Sequence, residues 1–173
     1  MTSQPRDRGT PVVDFDSLYR QHGQEVHRFA LFLSGDRSMA EDLVSEAFLR
    51  MWTARERVEL ATVRGYLFAI VRNLFLKDIQ RKRRHVPLAD RLAAGGPDQE
   101  DRAAVQSNLR TVLVALASLP EIDRAAVLMR ADDALPYEEI ARVLRISIGA
   151  AKVRVHRARL KLAEALDRAP GKE

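Results

Sequence analysis

Apolar residues recur at spacings of three and four in every long segment of this 173-residue chain, whereas the alternation typical of strands is nearly absent. The first apolar stripe runs from Phe15 to Leu33 and stops at "SGDRS". A second helix is predicted to open at Ser38, whose hydroxyl would form a capping box with Glu41. A third is predicted to start near Thr62 and to continue into the basic run "KDIQRKRRH". The pattern therefore predicts an all-α protein.

The helical pattern breaks in the middle of the chain. After the basic run the sequence reads "VPLADRLAAGGPDQEDR", where Gly95, Gly96 and Pro97 disfavour a helix. The break separates two segments that are each long enough for a small helical domain. The predicted organisation is a disordered tail at 1–12, a domain at 13–85, a flexible linker at 86–104 and a second domain at 105–168.

The last part of the chain predicts a helix-turn-helix. Pro120 and Pro136 each stand where the first turn of a predicted helix would begin. Ser147 can cap the helix that follows the turn. Arg145 occupies the turn position that commonly takes glycine for its left-handed backbone, and a side chain there costs about 1 kcal/mol.

The stretch "AAKVRVHRARLKL" alternates apolar and basic residues as a strand would. The alternation changes parity at Arg157, so a strand would have to slip by one residue. A helix instead gives one unbroken apolar stripe with three- and four-residue spacing. That stripe consists of Ala151, Val155, Ala158, Leu162 and Leu166. A helix is therefore predicted.

A second face of this helix carries Lys152, Val153, His156 and Arg157. Long basic side chains reach guanine edges in the major groove, and an apolar side chain can meet a thymine methyl group. Arg154 would then contact phosphate. The formal net charge of +5 and the isoelectric point of 10.0 also favour a polyanionic partner. DNA binding is the preferred interpretation, and a solvated basic helix face is the alternative.

Two segments of the N-terminal half carry their own polar signatures. In "AEDLVSEAFLRMW", polar side chains lie outside an apolar face, and such a ridge could dock on another protein. In "GYLFAIVRNLFLKDIQRKRR", basic and amide side chains stand beside Phe68 and Phe75. Rings and cations together suit unstacked single-stranded bases. The alternative is that both phenylalanines belong to the core of a broad helix.

Other chemistries lack the residues they need. The chain has no cysteine, which excludes disulfides and thiolate metal sites. His22 and His27 fall on different helix faces, and Asp132 and Asp133 are interpreted as helix-end and turn residues. No nucleophile motif or phosphate-binding glycine loop occurs. We expect no enzyme activity, metal, cofactor or small-molecule substrate. Because no signal peptide or membrane-spanning run is apparent, we expect a cytoplasmic protein.

Four motifs in a fixed order resemble a known family. They are "AEDLVSEAFLRMW", "RGYLFAIVRNLFLKDIQRKRR", "LPEIDRAAVLMR" and the region from "YEEIARVL" to "VRVHRARLKL". In this series the chain resembles the extracytoplasmic-function (ECF) class of bacterial sigma factors in the sigma-70 family, which have only regions 2 and 4. The resemblance implies a three-helix region 2 domain, a region 4 helix-turn-helix domain, and a subunit that gives core RNA polymerase its promoter specificity. An autonomous helix-turn-helix regulator, acting without polymerase, is the alternative.

The resemblance also implies partners and site residues. Promoter DNA and core RNA polymerase are the expected ligands, and an anti-sigma factor is a further expected partner. Core polymerase would bind Asp42, Leu43, Ser45, Glu46, Phe48 and Trp52. The melted minus-ten element would be held by Phe68, Arg72, Asn73, Lys77, Arg81, Lys82, Arg83 and Arg84, with the loop 53–61 completing a pocket for a flipped base. The minus-thirty-five element would be read by Ser147, Lys152, Val153, Arg154, His156 and Arg157.

The chain departs from the family pattern at two of these places. Ser45 stands where the family usually has glutamine, and Ala150 stands where it often has threonine. The acidic linker resembles the segment that passes through the RNA exit region in the family, where it would mimic nucleic acid; a plain tether is the other interpretation.

Overall fold

The structure, a computed structural model, describes residues 14–54, 63–85, 103–131 and 135–168. Within those ranges it contains seven helices and no strand, so the prediction of an all-α protein is confirmed. The helices are α1 (Phe15–Ser34), α2 (Arg37–Ala54), α3 (Val63–His85), α4 (Ala103–Ala117), α5 (Glu121–Arg130), α6 (Tyr137–Leu144) and α7 (Ile148–Asp167). The predicted tail, linker and loop fall mainly outside the described residues.

Helices α1 to α3 pack against one another as a three-helix bundle, the N-terminal bundle. Each helix contributes the apolar stripe that its sequence spacing predicts. The buried core includes Leu18, Val26, Phe29 and Leu33 of α1, Val44, Ala47 and Phe48 of α2, and Leu67, Phe68 and Val71 of α3. An ion pair from Arg64 Nη1 to Glu25 Oε1, at 3.0 Å, adds a polar contact between α3 and α1.

The turn between α1 and α2 corrects the predicted start of the second helix. Gly35 adopts a left-handed backbone with φ of 72° and ends α1 by donating its N–H to the carbonyl of Leu31. Asp36, and not Ser38, then caps α2, because its Oδ1 accepts the N–H of Met39 at 2.8 Å. Ser38 lies one residue inside the helix, so the predicted capping box was wrong by two positions.

Helices α4 to α7 form the C-terminal domain, in which α7 packs across α4, α5 and α6. Pro120 and Pro136 immediately precede α5 and α6. Proline suits a helix start because its missing backbone N–H would have no partner there. Small residues let the helices approach closely. The buried core includes Ala125, Ala126 and Met129 of α5, Ile140, Ala141 and Leu144 of α6, and Ala151, Val155 and Ala158 of α7.

The turn between α6 and α7 confirms three predictions. Arg145 has φ of 56° and ψ of 49°, the left-handed conformation expected where glycine is common. The N–H of Ile146 returns to the carbonyl of Ala141 at 3.0 Å, which satisfies an acceptor at the end of α6. The Ser147 hydroxyl accepts the N–H of Ala150 at 3.1 Å and caps α7. The stretch that alternates like a strand is therefore a helix.

The two domains also pack against each other, which the sequence did not predict. Helix α5 lies against α1, and α6 lies against α3. Buried residues of both domains join into one apolar cluster. We call this packing the closed arrangement.

Candidate nucleic-acid and protein interfaces

Helix α7 presents a continuous polar and basic face to solvent. Ala151, Val155 and Ala158 face inward, which turns Lys152, Val153, His156 and Arg157 outward, all of them exposed. Val153 is 54% exposed, although a valine on a purely structural helix would gain by burial. The structure therefore brings together the four side chains predicted to read base edges.

Tyr137, at the start of α6, is a neighbour of this face that sequence reasoning missed. Its ring centroid lies 5.7 Å from Lys152 Nζ and 4.9 Å from the guanidinium carbon of Arg130. Both distances are within the range of cation–π attraction. The ring thereby holds two cations at one end of the exposed face of α7.

Arg154 and Ser147, also predicted to contact DNA, both make contacts within the protein. Arg154 Nη1 donates to Oδ1 of Asp123 at 2.8 Å, and the Asp123 side chain is only 2% exposed. The carboxylate lies on α5, so the pair ties α7 to α5. Ser147 holds the first turn of α7 through its capping bond.

Helix α3 exposes some of the residues predicted to hold melted DNA and buries others. Asn73 and Lys77 are exposed. Phe68 is 1% exposed, and its ring stacks on that of Phe29 with centroids 4.4 Å apart. Phe75 is buried as well. Both rings belong to the helix core, the alternative interpretation, because a face packed against α1 leaves no ring surface for a base.

Arg72 makes a different contact from the predicted one. Its Nε and Nη2 donate to the two carboxylate oxygens of Glu121, at 2.6 and 2.8 Å. Glu121 is the first residue of α5 and belongs to the C-terminal domain. In the closed arrangement this guanidinium is therefore already paired with an anion.

The basic end of α3 also contains one acidic residue, Asp78. Asp78 pairs with Arg81 at 2.7 Å and with Lys82 at 2.9 Å, while Arg83 and Arg84 are exposed. The hydrogen bond from Lys82 lowers the pKa of Asp78, with smaller contributions from the charge of Lys82 and from Arg81, against an opposing effect of burial. The carboxylate is thus ionised at neutral pH, and it offsets part of the positive charge of this segment.

The predicted protein-docking ridge on α2 is partly core. Leu43 and Phe48 are buried and cannot contact a partner directly, whereas Asp42 and Ser45 are exposed. Leu49 is 56% exposed and is the exposed apolar side chain of this surface, whereas buried neighbours were predicted for that role. Its position outside the apolar stripe was the signal that could have identified it.

The polar and aromatic groups beside Leu49 complete this surface. Glu46 accepts a hydrogen bond from Arg50 at 2.6 Å. Trp52 lies edge-on to Phe15, with ring centroids 5.7 Å apart, so α1 supports this end of α2. A cleft of about 530 Å³ between α2 and α3 runs from Asp42 to Arg81 and joins the ridge to the basic end of α3.

Across the described ranges, every helix is too short or too polar to span a membrane. Nowhere in the same ranges do three histidine, cysteine, aspartate or glutamate side chains gather as metal ligands would.

Comparisons with known proteins match both domains. Residues 18–85 match the family described as sigma-70 region 2, and residues 109–162 match the family described as sigma-70, region 4. The ECF RNA polymerase sigma factor SigE of Mycolicibacterium smegmatis is 35% identical over 161 residues, which are 90% of this chain and 62% of that protein. The corresponding EcfG of Rhodopseudomonas palustris is 32% identical over 142 residues, covering 82% of this chain and 78% of that one.

Solved structures show the same fold. The sigma factor RpoE in complex with the anti-sigma factor NepR, from Bartonella quintana, is similar with a TM-score of 0.73 and 28% identity, over 90% of this chain and 98% of that chain. CnrH in complex with the cytosolic domain of CnrY is similar with a TM-score of 0.65 and 24% identity, over 88% of this chain and 87% of that chain.

Proposed function

The chain belongs to the ECF RNA polymerase sigma factors of the sigma-70 family, subunits that direct promoter-specific transcription, and we propose that its two domains divide promoter recognition between them. The C-terminal domain reads duplex DNA at the minus-thirty-five element. The N-terminal bundle binds core polymerase and holds the melted minus-ten element. The observation that carries this proposal is the exposed face of α7, whose four side chains point away from the domain they belong to.

Duplex recognition rests on Lys152, Val153, His156 and Arg157. Lysine and arginine donate to guanine O6 and N7 in the major groove, and Val153 offers an apolar contact to a thymine methyl group. Arg154 acts mainly by fixing the rotation of α7 through Asp123. Ser147 acts by ordering the N-terminal turn of α7, where backbone N–H groups favour a phosphate.

Contacts to melted DNA rest on the exposed polar groups of α3. Asn73 supplies amide donors and acceptors for an unpaired base, and Lys77 supplies charge for the backbone. Arg83 and Arg84 extend the charge along the strand. Phe68 supports this surface from within, by holding α3 on α1.

Binding to core polymerase rests on the exposed edge of α2. Asp42, Ser45, Glu46 and Leu49 form a polar ridge around one apolar side chain, a composition suited to a separable protein interface. Trp52 lies at its end. Serine at position 45 is shorter than the glutamine usual in the resembling family, so this ridge makes fewer side-chain contacts there.

An anti-sigma factor is a second proposed protein partner. The similar structure of RpoE was solved as a complex with the anti-sigma factor NepR. The present chain shares that fold over 90% of its length, which supports a partner of the same class. We further propose that the chain acts in the cytoplasm, where polymerase and promoters lie, and that it performs no bond chemistry of its own.

Run-off transcription with purified core polymerase tests the proposal. Adding the protein to core should produce transcripts of defined length from genomic fragments that core alone does not initiate on. If no fragment yields such a transcript and the protein does not associate with core, the sigma-factor function fails. Tight binding to a palindromic duplex without core would instead identify an autonomous regulator.

A further inference from the structure

The N-terminal end of α5 makes two polar contacts with the N-terminal bundle. In the first, Glu121 receives both hydrogen bonds from Arg72, and the two side chains are 22% and 13% exposed. A two-bond arginine–carboxylate pair is among the stronger polar contacts in proteins, and partial burial reduces its screening by salt.

Arg124 makes the second contact, one turn further along α5. Its Nη1 donates to the carbonyl of Leu33 in the last turn of α1, at 2.7 Å, and its Nη2 donates to the carbonyls of Ala117 and Leu119. Burial lowers the pKa of Arg124, and the charge of Glu121 opposes that effect. A cation at a helix C-terminus also interacts favourably with the helix dipole. We call Arg72, Glu121, Arg124 and the Leu33 carbonyl the clasp.

The apolar part of the interface beside the clasp is incompletely filled. A groove of about 310 Å³ remains between the domains. It is lined by Phe29, Phe32 and Phe68 of the N-terminal bundle and by Val112, Leu116 and Leu128 of the C-terminal domain. Unfilled space forfeits dispersion contacts, so the polar clasp contributes a larger share of the closing free energy than it would beside a filled interface. Domains joined this way separate readily when a competing partner appears.

We propose that the clasp is a built-in restraint, in which Glu121 occupies on Arg72 the position that a promoter phosphate takes in the open protein. The Nε and Nη2 of Arg72 cannot serve the Glu121 carboxylate and a DNA phosphate at the same time. The free protein therefore stays closed, and its DNA-binding helix α3 is paired with an internal anion. Binding to polymerase and DNA offers competing contacts and opens the chain. The inference rests on the proposed function only for the identity of the competitor, because closure itself is a property of the free protein.

Fluorescence energy transfer within the 173-residue chain measures closure directly. The natural chain has no cysteine, so cysteines introduced at the exposed positions Gln21 and Ala163 are the only labelling sites. Energy transfer should be high at low salt and should fall as sodium chloride is added. Glu121→Gln keeps the side chain's shape but loses its charge, and it should raise the open-to-closed ratio about ten- to a hundredfold, moving the salt midpoint down.

Matched variants separate the clasp from general charge effects and from misfolding. Glu164→Gln removes the same charge from an exposed pair on α7, 3.8 Å from Arg168, and should leave energy transfer unchanged. Arg72→Glu should open the chain, and adding Glu121→Arg should restore closure by re-forming the pair with reversed charges. Equal energy transfer in the labelled chain with and without Glu121→Gln at every salt concentration would overturn the proposal. Low transfer at low salt in the labelled chain that retains Glu121 would overturn it as well.

The rate of association with core polymerase distinguishes this inference from the proposed function. Only the open fraction is competent to bind, so Glu121→Gln should associate faster than the natural chain, while Glu164→Gln should not. If Glu121→Gln opens the chain but the natural protein supports no promoter-specific transcript, the sigma-factor function fails and the clasp stands. If energy transfer is unchanged while transcription is promoter-specific, the clasp fails and the function stands.

Discussion

The carboxylate of Asp123 on α5 accepts a hydrogen bond from Nη1 of Arg154 on α7 at 2.8 Å. The aspartate side chain is only 2% exposed. A buried carboxylate without a partner is strongly destabilising, because it has lost its hydration and gained nothing in return. The pair therefore fixes both the position and the rotation of α7 on α5.

Replacing Arg154 by methionine should lower the free energy of unfolding by about 3 kcal/mol, measured by urea denaturation of the free protein. Arg159→Met, an exposed arginine on the same helix, should change it by less than about 0.5 kcal/mol. The double variant Asp123→Asn with Arg154→Met should recover much of the loss, because no unpaired charge remains. A stable Arg154→Met protein that only binds DNA more weakly would show that Arg154 is a phosphate contact and not a structural tie.

The proposed division of labour between the domains predicts different defects for two substitutions. Arg157→Ala should weaken duplex binding by the polymerase complex by about 1–3 kcal/mol, measured by gel shift. Asn73→Ala should leave duplex binding intact and reduce promoter opening about five- to tenfold, measured by permanganate reactivity of unpaired thymines.

Exposed residues on α3 and directly after α7 provide controls for this pair. Arg168→Ala removes the arginine that follows the last residue of α7, and Gln80→Ala removes an amide from α3. Neither control should alter its respective assay. Equal effects of Arg157→Ala and Asn73→Ala on both binding and opening would contradict the division of labour.

How far the sequence predicts the structure depends on the range of the contacts involved. Helices are local, so the three- and four-residue spacing predicted all the long ones, and the cap by Ser147 was predicted from a single residue type. The start of α2 was missed because Asp36 and Ser38 are both good capping residues, and spacing cannot choose between neighbours two positions apart.

Contacts between segments that are far apart in the sequence could not be predicted from the sequence. Phe68 is apolar and lies beside basic residues, and only its stacking on Phe29 decides between core and DNA surface. Asp123 and Glu121 look like ordinary acids in the first turn of a helix. Their arginine partners lie on other helices, at distances in sequence that follow no repeating pattern, so the buried tie to α7 and the clasp required the structure.

Backbone conformation at two turns predicts stability changes of opposite sign. Arg145 has φ of 56°, and Gly35 has φ of 72°. Arg145→Gly should relieve the cost of a side chain in this region and raise the free energy of unfolding by up to about 1 kcal/mol, less the added entropy of glycine in the unfolded chain. Gly35→Ala should lower it by about 1 kcal/mol, because beyond the two adjacent residues no atom lies within 4 Å of the new methyl group and only backbone strain opposes it. Thermal denaturation of both variants beside the natural chain gives the two signs; a destabilised Arg145→Gly would mean that the arginine makes a compensating contact.

Asp78 predicts a link between pH, stability and DNA affinity at the basic end of α3. Its pKa is lowered in the folded protein, so the unfolded chain takes up the proton first as pH falls. Its contribution to stability is therefore complete above the ordinary value of 3.8 and is lost as pH falls through the lower folded pKa. The difference in unfolding free energy between the natural chain and Asp78→Asn should be constant near neutral pH and shrink below that value.

At neutral pH, Asp78→Asn should also bind nonspecific DNA more tightly with a steeper salt dependence, because Arg81 and Lys82 no longer neutralise an internal carboxylate. Asp42→Asn removes a charge from the same cleft without touching those two cations and is the control for the salt slope; equal slopes for the natural chain and Asp78→Asn would mean that the two cations do not reach DNA.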